Sequence, residues 1–225
     1  HDGDGDVDLY IVNGSTFDTY MEGSGAGNAL YANRGNGTFR EVAETLGVAD
    51  AGWGSGVTAG DVDGDGTLDL YVTNFGANIL YMNNDAGPFT DATGDAEVGG
   101  GSTYSTSAAF FDYDGDGDLD LYVANYLELD LATTRPRGCH YIGDIKVYCG
   151  PKGMPGAADI LYRNDSGLTF TDVTEEAGIG VANRYYGLGV APEDFDGDGD
   201  TDLYVANDST PNVLFSNQAD GTFED

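Results

Sequence analysis

The sequence predicts an all-β protein built from a repeated unit, and three observations carry this prediction. A nine-residue loop rich in aspartate and glycine occurs four times in one register. Each copy is followed by an alternating segment of aromatic and β-branched residues that ends in asparagine, which is typical of a β-strand. A second apolar segment, a polar turn and a phenylalanine then follow, and this order indicates a β-hairpin.

The loop is clearest at residues 112–120, where aspartates occupy positions 1, 3, 5, 7 and 9 and glycines occupy positions 4 and 6. Carboxylate oxygens are hard ligands, and several of them around one point need a divalent cation to relieve their repulsion. Glycine lets the backbone turn sharply enough for alternate side chains to converge. The same pattern occurs at residues 61–69 and 194–202, and a copy without its first position spans residues 2–8. We therefore expect up to four Ca²⁺ ions.

The segments around these loops predict the rest of each unit. The strands expected after the loops are residues 9–13, 70–74, 121–125 and 203–207. Small-residue strands are expected before three loops, at residues 56–60, 106–111 and 188–191, where their composition suggests close packing near a crowded axis. The hairpins begin at residues 28–33, 78–83, 159–164 and 212–217. Four antiparallel strands repeated in series are typical of the blades of a β-propeller.

The whole of residues 1–225 is therefore interpreted as a partial β-propeller of about four blades or part-blades, each of four antiparallel strands. The approximate repeats are residues 1–50, 51–100, 101–182 and 183–225. Complete loops begin at residues 61, 112 and 194, so the second interval exceeds the first by about thirty residues. This excess predicts an insertion at residues 126–158.

The insertion contains both cysteines, Cys139 and Cys149. In an exported protein, two cysteines ten positions apart are expected to form a disulfide that closes a loop without a core of its own. Such a short closed loop would stabilise the protein by roughly 2–3 kcal/mol on the chain-entropy description. A zinc site formed with His140 is the alternative, although it lacks a fourth ligand.

The charge balance excludes some classes of partner. The 225 residues include 40 acidic and 8 basic side chains, for a formal net charge of −32. Nucleic acid and anionic membranes attract basic surfaces, so we expect no nucleic acid and no membrane insertion. Acidic chains are often disordered, but 15 tyrosines, 10 phenylalanines and 40% hydrophobic residues favour a packed structure.

The loops also indicate a compartment. Extracellular calcium modules bind at roughly 10⁻⁴ to 10⁻³ M, which the calcium level of the cytosol would not fill. We therefore expect a secreted, periplasmic or cell-surface protein. His1 stands at the second position of a loop whose first position is absent, so the chain is expected to be a monomer or part of a larger chain.

An EF-hand is the nearest rival for the loops. It requires flanking helices and a bidentate glutamate at position 12. Position 12 is Ile11, Val72, Val123 or Val205, and the segments that follow alternate as strands do. Both requirements fail, as they do for a dockerin-type loop.

The loops at residues 61–69 and 194–202 resemble the calcium loops of FG-GAP/VCBS repeats, which build the β-propeller of integrin α-subunits. Residues 161–164, 170–178 and the cysteine insertion ending at residues 149–156 are similar to the cartilage acidic protein (ASPIC/UnbV-type) branch. The resemblance implies a secreted or cell-surface calcium-binding module, used in adhesion or binding and forming a fragment of a seven-bladed ring.

Within each loop, positions 1, 3, 5 and 9 are expected to supply side-chain oxygens, whereas position 7 supplies its backbone carbonyl. Thr67 supports this division, because a side-chain ligand would not readily be replaced by threonine. The side-chain ligands are Asp2, Asp4 and Asp8, then Asp61, Asp63, Asp65 and Asp69, then Asp112, Asp114, Asp116 and Asp120, and finally Asp194, Asp196, Asp198 and Asp202. The seventh positions are Asp6, Thr67, Asp118 and Asp200.

The function expected is that of a non-catalytic module that binds an extracellular protein or glycan. No catalytic residues are assigned, because the histidines are only His1 and His140 and calcium would occupy the loop aspartates. An enzyme or accessory domain acting on extracellular polysaccharide, and a structural spacer in a larger surface protein, remain alternatives. Trp53 is expected in the core or rim, and residues 184–186 are candidates for a propeller face.

Overall fold

The structure is a computed structural model that describes residues 1–85, 87–131, 138–147, 149–180 and 184–225. Within these residues the chain forms four successive antiparallel units, which we call blades 1 to 4. The all-β prediction is thereby confirmed. The expected boundary between the third and fourth repeats, at residues 182 and 183, lies outside the described residues.

Among the described residues, blade 1 has three strands and a short helix, whereas blades 2, 3 and 4 each have a four-stranded antiparallel sheet. Blade 1 contains β1 (Leu9–Ile11), α1 (Phe17–Glu22), β2 (Ala29–Asn33) and β3 (Phe39–Glu41), followed by α2 (Ala43–Leu46). Blade 2 contains β4 (Trp53–Gly60), β5 (Asp69–Phe75), β6 (Ile79–Met82) and β7 (Thr90–Asp91), followed by α3 (Thr93–Ala96).

Blade 3 carries an extra hairpin between its second and third blade strands. It contains β8 (Tyr104–Phe111), β9 (Asp120–Leu127), the hairpin β10 (Cys139–Tyr141) and β11 (Ile145–Val147), then β12 (Ile160–Asn164) and β13 (Phe170–Asp172). Blade 4 contains β14 (Gly187–Glu193), β15 (Asp202–Asn207), β16 (Val213–Asn217) and β17 (Phe223–Glu224). In each four-stranded blade the neighbours pair in chain order and antiparallel.

The first strands of blades 2, 3 and 4 lie side by side. Their backbones approach so closely that a Cβ added to Gly56 of β4 would lie 2.6 Å from the carbonyl oxygen of Thr106 in β8. Phe75 of blade 2 also pairs with Tyr104 of blade 3, which joins these blades into one hydrogen-bonded sheet. The small residues therefore do mark a crowded axis, as expected for propeller blades.

The hydrophobic core consists of three layers, one between each pair of successive blades. Tyr71 and Leu80 of blade 2, for example, pack against Leu121 and Val123 of blade 3. The corresponding layers lie between blades 1 and 2 and between blades 3 and 4. Because a middle blade is covered on both faces, every residue of β5 is buried. Complete burial of one apolar side chain such as leucine or valine contributes roughly 1.5–3 kcal/mol to the free energy of unfolding.

The cysteine insertion forms a separate two-stranded hairpin attached to blade 3. Cys139 and Cys149 form the expected disulfide, with their Cα atoms 5.3 Å apart, so the zinc alternative is wrong. His140 is exposed on the hairpin. Residues 132–137 and 148 of the predicted insertion lie outside the described residues.

Helix α1 is the main local feature that sequence reasoning missed. It begins with a capping box in which Thr16 and Thr19 exchange side-chain-to-backbone hydrogen bonds. It ends at Gly23, whose φ of 64° places it in the left-handed region. No helix among the described residues is long and apolar enough to cross a membrane.

Candidate metal sites

The four aspartate loops each gather three potential metal ligands. In blades 2, 3 and 4 the aspartates at positions 1, 3 and 9 converge, with one carboxylate oxygen of each within 4.8 Å of the others. These groups are Asp61, Asp63 and Asp69, then Asp112, Asp114 and Asp120, and then Asp194, Asp196 and Asp202. The first loop instead gathers His1, Asp2 and Asp8.

Two glycines in each loop permit this convergence. At position 6, Gly66, Gly117 and Gly199 have φ values of 91°, 94° and 103°, a conformation that side-chain-bearing residues rarely adopt. The backbone N–H of each donates to a carboxylate oxygen of the first-position aspartate, at 3.0, 3.0 and 3.1 Å. The first aspartate is thus oriented towards the centre of its own loop.

The ninth aspartate is fixed by the blade itself. In blade 3, Asp120 is fully buried, and it accepts hydrogen bonds from the N–H groups of Tyr113 at 2.9 Å and Asn164 at 2.8 Å. Asp69 and Asp202 make equivalent pairs of bonds in their blades. One carboxylate therefore holds the loop to the third blade strand.

Burial and crowding oppose the ionised state of these groups. Burial, with a smaller contribution from nearby aspartates, raises the pKa of Asp69 to about 6 and that of Asp120 to about 7. Burial followed by repulsion from Asp116 also raises the pKa of Asp114. A nearby positive charge would reverse this penalty, because it favours the charged carboxylates.

The donor set fits a hard divalent cation. All donors in blades 2 to 4 are carboxylate oxygens, which suit Ca²⁺ or Mg²⁺ better than softer metals. In blade 2, the Oδ1 atom of Asp61 is buried and has no hydrogen-bond partner. Such an orphaned acceptor is costly unless a cation or donor occupies the loop centre.

The residues expected at positions 5 and 7 lie outside these groups of three. Asp65 Oδ1 accepts hydrogen bonds from the backbone and hydroxyl of Thr67, at 2.8 and 2.7 Å, which lowers its pKa. Asp116 and Asp198 make similar backbone bonds to the seventh residues, Asp118 and Asp200. The ligand roles of positions 5 and 7, including Asp4 and Asp6 of the first loop, therefore stay predictions.

The first loop differs because His1 contributes a nitrogen. Its Nδ1 lies 2.7 Å from Asp8 Oδ2. The nitrogen of His1 sets this group apart from the all-carboxylate groups of blades 2 to 4.

Sequence reasoning missed a set of asparagines that connect each loop to the next blade. Asn164 of blade 3 donates through Nδ2 to the carbonyl oxygen of Val62, in the loop of blade 2, at 3.0 Å. Asn83 and Asn217 bind equivalent second-position carbonyls, those of His1 and Tyr113, at 3.0 and 2.8 Å. We call these three residues the interblade asparagines. The asparagine that closes each third-strand segment is the only sequence signal for them.

The chain is similar in sequence to cartilage acidic protein 1 from three vertebrates. Cartilage acidic protein 1 of Mus musculus is 30% identical over 186 residues, covering 76% of this chain and 25% of that protein. The Homo sapiens protein gives the same values, and the Xenopus tropicalis protein is 28% identical over 204 residues. The chain spans about a quarter of the length of these relatives.

A solved Agrocybe aegerita lectin, described as recognising non-reducing terminal N-acetylglucosamine, has 20% identity and a TM-score of 0.32. That likeness covers 89% of this chain and 60% of the lectin.

The FG-GAP-like repeat family matches residues 1–72, 61–123 and 194–225, which include all four aspartate loops. With the repeated blades and converging carboxylates, this match shows that the chain belongs to the FG-GAP-like repeat family.

Proposed function

We propose that this chain is an extracellular, calcium-stabilised β-propeller module that binds another molecule without catalysing a reaction. The observation that carries the calcium assignment is the recurrence of the same three converging carboxylates in blades 2, 3 and 4. Hydrogen bonds within a loop do not require three acids to approach one point, whereas a shared cation does.

The carboxylates have distinct tasks in this proposal. The aspartates at positions 1 and 3 face the loop centre, and the ninth aspartate connects it to two strands of its blade. A bound Ca²⁺ supplies positive charge and accepts six to eight oxygen ligands. The fifth-position side chain and the seventh-position carbonyl are proposed to provide further oxygens. The loops then hold the blades rigid, so that the opposite face can present a binding surface.

The disulfide supports an extracellular setting, because such bonds persist in oxidising compartments. Extracellular calcium would also fill sites of modest affinity. The acidic surface suits a partner with positive charge, since the formal net charge of −32 attracts cations over some distance.

Thermal unfolding with Ca²⁺, with Mg²⁺ and with a chelator tests the proposal. At a Ca²⁺ concentration a hundredfold above Kd, each filled site should add about 2.7 kcal/mol to the free energy of unfolding. Isothermal titration should find at least three sites of similar strength, one in each loop of blades 2 to 4. A chelator that leaves the melting temperature unchanged would reject the calcium assignment.

Matched variants of the third loop separate the roles of its residues. Asp114→Asn should abolish one calcium site, because Asp114 belongs to the converging group. Asp118→Asn should retain it, because position 7 needs only its backbone carbonyl. Asp116→Asn tests the fifth position, and a loss of one site would support its ligand role. Equal losses at all loops in any variant would contradict independent sites.

A further inference from the structure

The chain contains two asparagines that are followed by glycine, Asn13 and Asn36. This pair of residue types is chemically labile, because a backbone nitrogen can attack the side-chain amide that precedes it. Glycine has no Cβ to crowd the attacking nitrogen, and it lets the backbone reach the conformation that the attack needs. The fold places the two asparagines in different surroundings.

Hydrogen bonds hold Asn13 in place. Its Nδ2 donates to the carbonyl oxygen of Gly27 at 2.5 Å, and its backbone N–H donates to Asn28 Oδ1 at 2.7 Å. Its carbonyl oxygen also accepts from the N–H of Gly54 at 3.2 Å, and the residue is half-buried. The amide of Asn13 therefore turns towards its own backbone only when at least the bond to Gly27 breaks.

Asn36 lies exposed in the turn between β2 and β3. Its Oδ1 accepts from the backbone N–H and the hydroxyl of Thr38, at 3.1 and 2.6 Å. Within the described part of the chain, neither its Nδ2 nor the backbone N–H of Gly37 donates a hydrogen bond. The nitrogen that would attack and the amide nitrogen that would leave are thus both unengaged.

Blade 4 carries an aspartate at the same point of the same turn. Asp220 precedes Gly221 between β16 and β17, and its Oδ1 accepts from the backbone N–H and the hydroxyl of Thr222, at 3.1 and 2.6 Å. Gly221 has a φ of 83°, close to the 80° of Gly37. This turn therefore accepts a carboxylate in place of the amide with its hydrogen bonds unchanged.

We propose that the fold selects Asn36 for spontaneous deamidation. The backbone nitrogen of Gly37 attacks Cγ of Asn36 and forms a C–N bond, while its proton passes to hydroxide or a buffer base. The bond between Cγ and Nδ2 breaks, and Nδ2 takes up a proton and leaves as ammonia. Water then opens the cyclic imide, at Cγ to give aspartate or at the backbone carbonyl to give isoaspartate. Either product adds one negative charge.

The two products should differ in their effect on blade 1. Aspartate repeats the arrangement of Asp220, whereas isoaspartate carries the chain through Cγ and lengthens the backbone of the turn. The turn contacts the first aspartate loop, since the N–H of Asn33 donates to Asp8 Oδ1 at 2.8 Å. A Cβ added to Gly35 would lie 2.6 Å from Asp6 Oδ2. Isoaspartate should therefore disturb blade 1, whereas aspartate should not.

The inference goes beyond the proposed binding role and does not depend on it. Its test is peptide mapping by mass spectrometry of the folded protein, incubated with Ca²⁺ at mildly alkaline pH. The peptide with Asn36 should deamidate at least about tenfold faster than the peptide with Asn13, because Asn13 must first break a hydrogen bond. Equal rates would overturn the inference. So would an unmodified Asn36 after a free peptide of residues 34–40 has reacted completely.

Incubation in denaturant separates the fold from the sequence. Both asparagines should then react at similar rates, because unfolding removes the hydrogen bonds of Asn13. A difference between the two rates that persists in denaturant would contradict the selection of Asn36 by the fold.

Matched glycine variants test the attacking nitrogen. Gly37→Asn should slow deamidation of Asn36 about tenfold or more, because the added side chain crowds that nitrogen. Asparagine adopts positive φ more readily than most residues, so the turn should be kept. Gly221→Asn makes the same change in blade 4 and should leave the rate at Asn36 unchanged. Equal slowing in both variants would reject the role of Gly37.

Asn36→Asp reproduces the first product and should keep the melting temperature of the parent chain. The isoaspartate form of aged protein, isolated by chromatography and identified by enzymatic methylation of its free carboxyl, should melt at a lower temperature. A destabilised Asn36→Asp variant would contradict the equivalence of this turn with that of Asp220.

Discussion

One buried side chain in blade 3 departs from the pattern of the other blades. At the start of the third-strand segment, blades 1, 2 and 4 carry asparagine, whereas blade 3 carries Asp159. In blade 2, Asn78 accepts from the N–H of Asn74 at 2.9 Å and donates to the hydroxyl of Tyr71 at 3.0 Å. Asp159 makes only acceptor bonds, from Asn125 at 2.6 Å and Tyr122 at 2.7 Å.

Burial raises the pKa of Asp159 to about 7, although its two hydrogen bonds favour the ionised form. In the unfolded chain the same carboxyl would titrate near pH 3.9. The folded state therefore binds its proton more tightly, so this group destabilises the fold as pH rises from about 4 to about 7. The contribution of Asp159 to stability is most favourable below about pH 4, where its carboxyl is protonated in both the folded and the unfolded chain.

Asp159→Asn should stabilise the protein at pH 8, because the amide avoids the cost of a buried charge and matches Asn78. We expect a gain of at least about 1 kcal/mol, or roughly 2–4 °C in melting temperature. The gain should shrink towards pH 4, where Asp159 is protonated. Thermal unfolding of both proteins across this range is the measurement.

The reverse change, Asn78→Asp, is the matched control and should destabilise blade 2 at pH 8 but much less at pH 4. A stability difference between Asp159→Asn and the parent chain that does not change with pH would contradict the role assigned to Asp159.

At the scale of the elements, hydrogen bonds at the loop ends join blades that are otherwise held by apolar packing. Asn164 donates to Val62 of blade 2 and, at 3.2 Å, to Leu119 of its own blade. Asn33 of blade 1 makes the within-blade bond to Val7, but the described residues offer it no preceding blade. The two asparagines therefore differ in the interblade contact and in burial, since Asn164 is fully buried and Asn33 is half-buried.

Asn164→Ala should lower the free energy of unfolding by about 1–3 kcal/mol, because it leaves two carbonyl oxygens without a donor. Asn33→Ala leaves only one exposed carbonyl without this donor and should cost less than about 1 kcal/mol. Denaturant unfolding of both variants, with Ca²⁺ present, measures the difference. Equal effects would show that the interblade bond contributes nothing measurable.

At the scale of the whole molecule, the two end blades each expose one apolar face. Leu9 and Ile11 of blade 1 are 47% and 46% exposed, whereas the equivalent Leu121 and Val123 of blade 3 are fully buried. On blade 4, Tyr204 and Leu214 are 37% and 44% exposed. In a closed ring, further blades would cover these faces. Adjacent exposed apolar groups of this kind favour association.

The isolated chain should therefore self-associate as its concentration rises. Leu214→Lys should weaken this association, because it places a charge on the blade 4 end face. Ile145→Lys, on the exposed insertion hairpin, is the control and should not change it. Sedimentation velocity across a range of concentrations is the measurement, and concentration-independent monomers would contradict the prediction.

The sequence by itself determined the features that recur locally. The aspartate and glycine spacing predicted the four loops, and the period-two segments predicted most strands to within a few residues. The cysteine pair and the small-residue inner strands were also readable, because their chemistry depends on residue type and short spacing.

Only the tertiary structure decided which distant groups meet. It brought Asn217 to the carbonyl of Tyr113, 104 residues away, and it placed the ring of Phe75 in contact with those of Tyr20 and Tyr104. Local periodicity carries no information about such pairs, since they form when successive blades stack and bury their faces against each other. The loops could therefore be predicted from the sequence, whereas the interblade asparagines and the contacts of Phe75 with Tyr20 and Tyr104 could not.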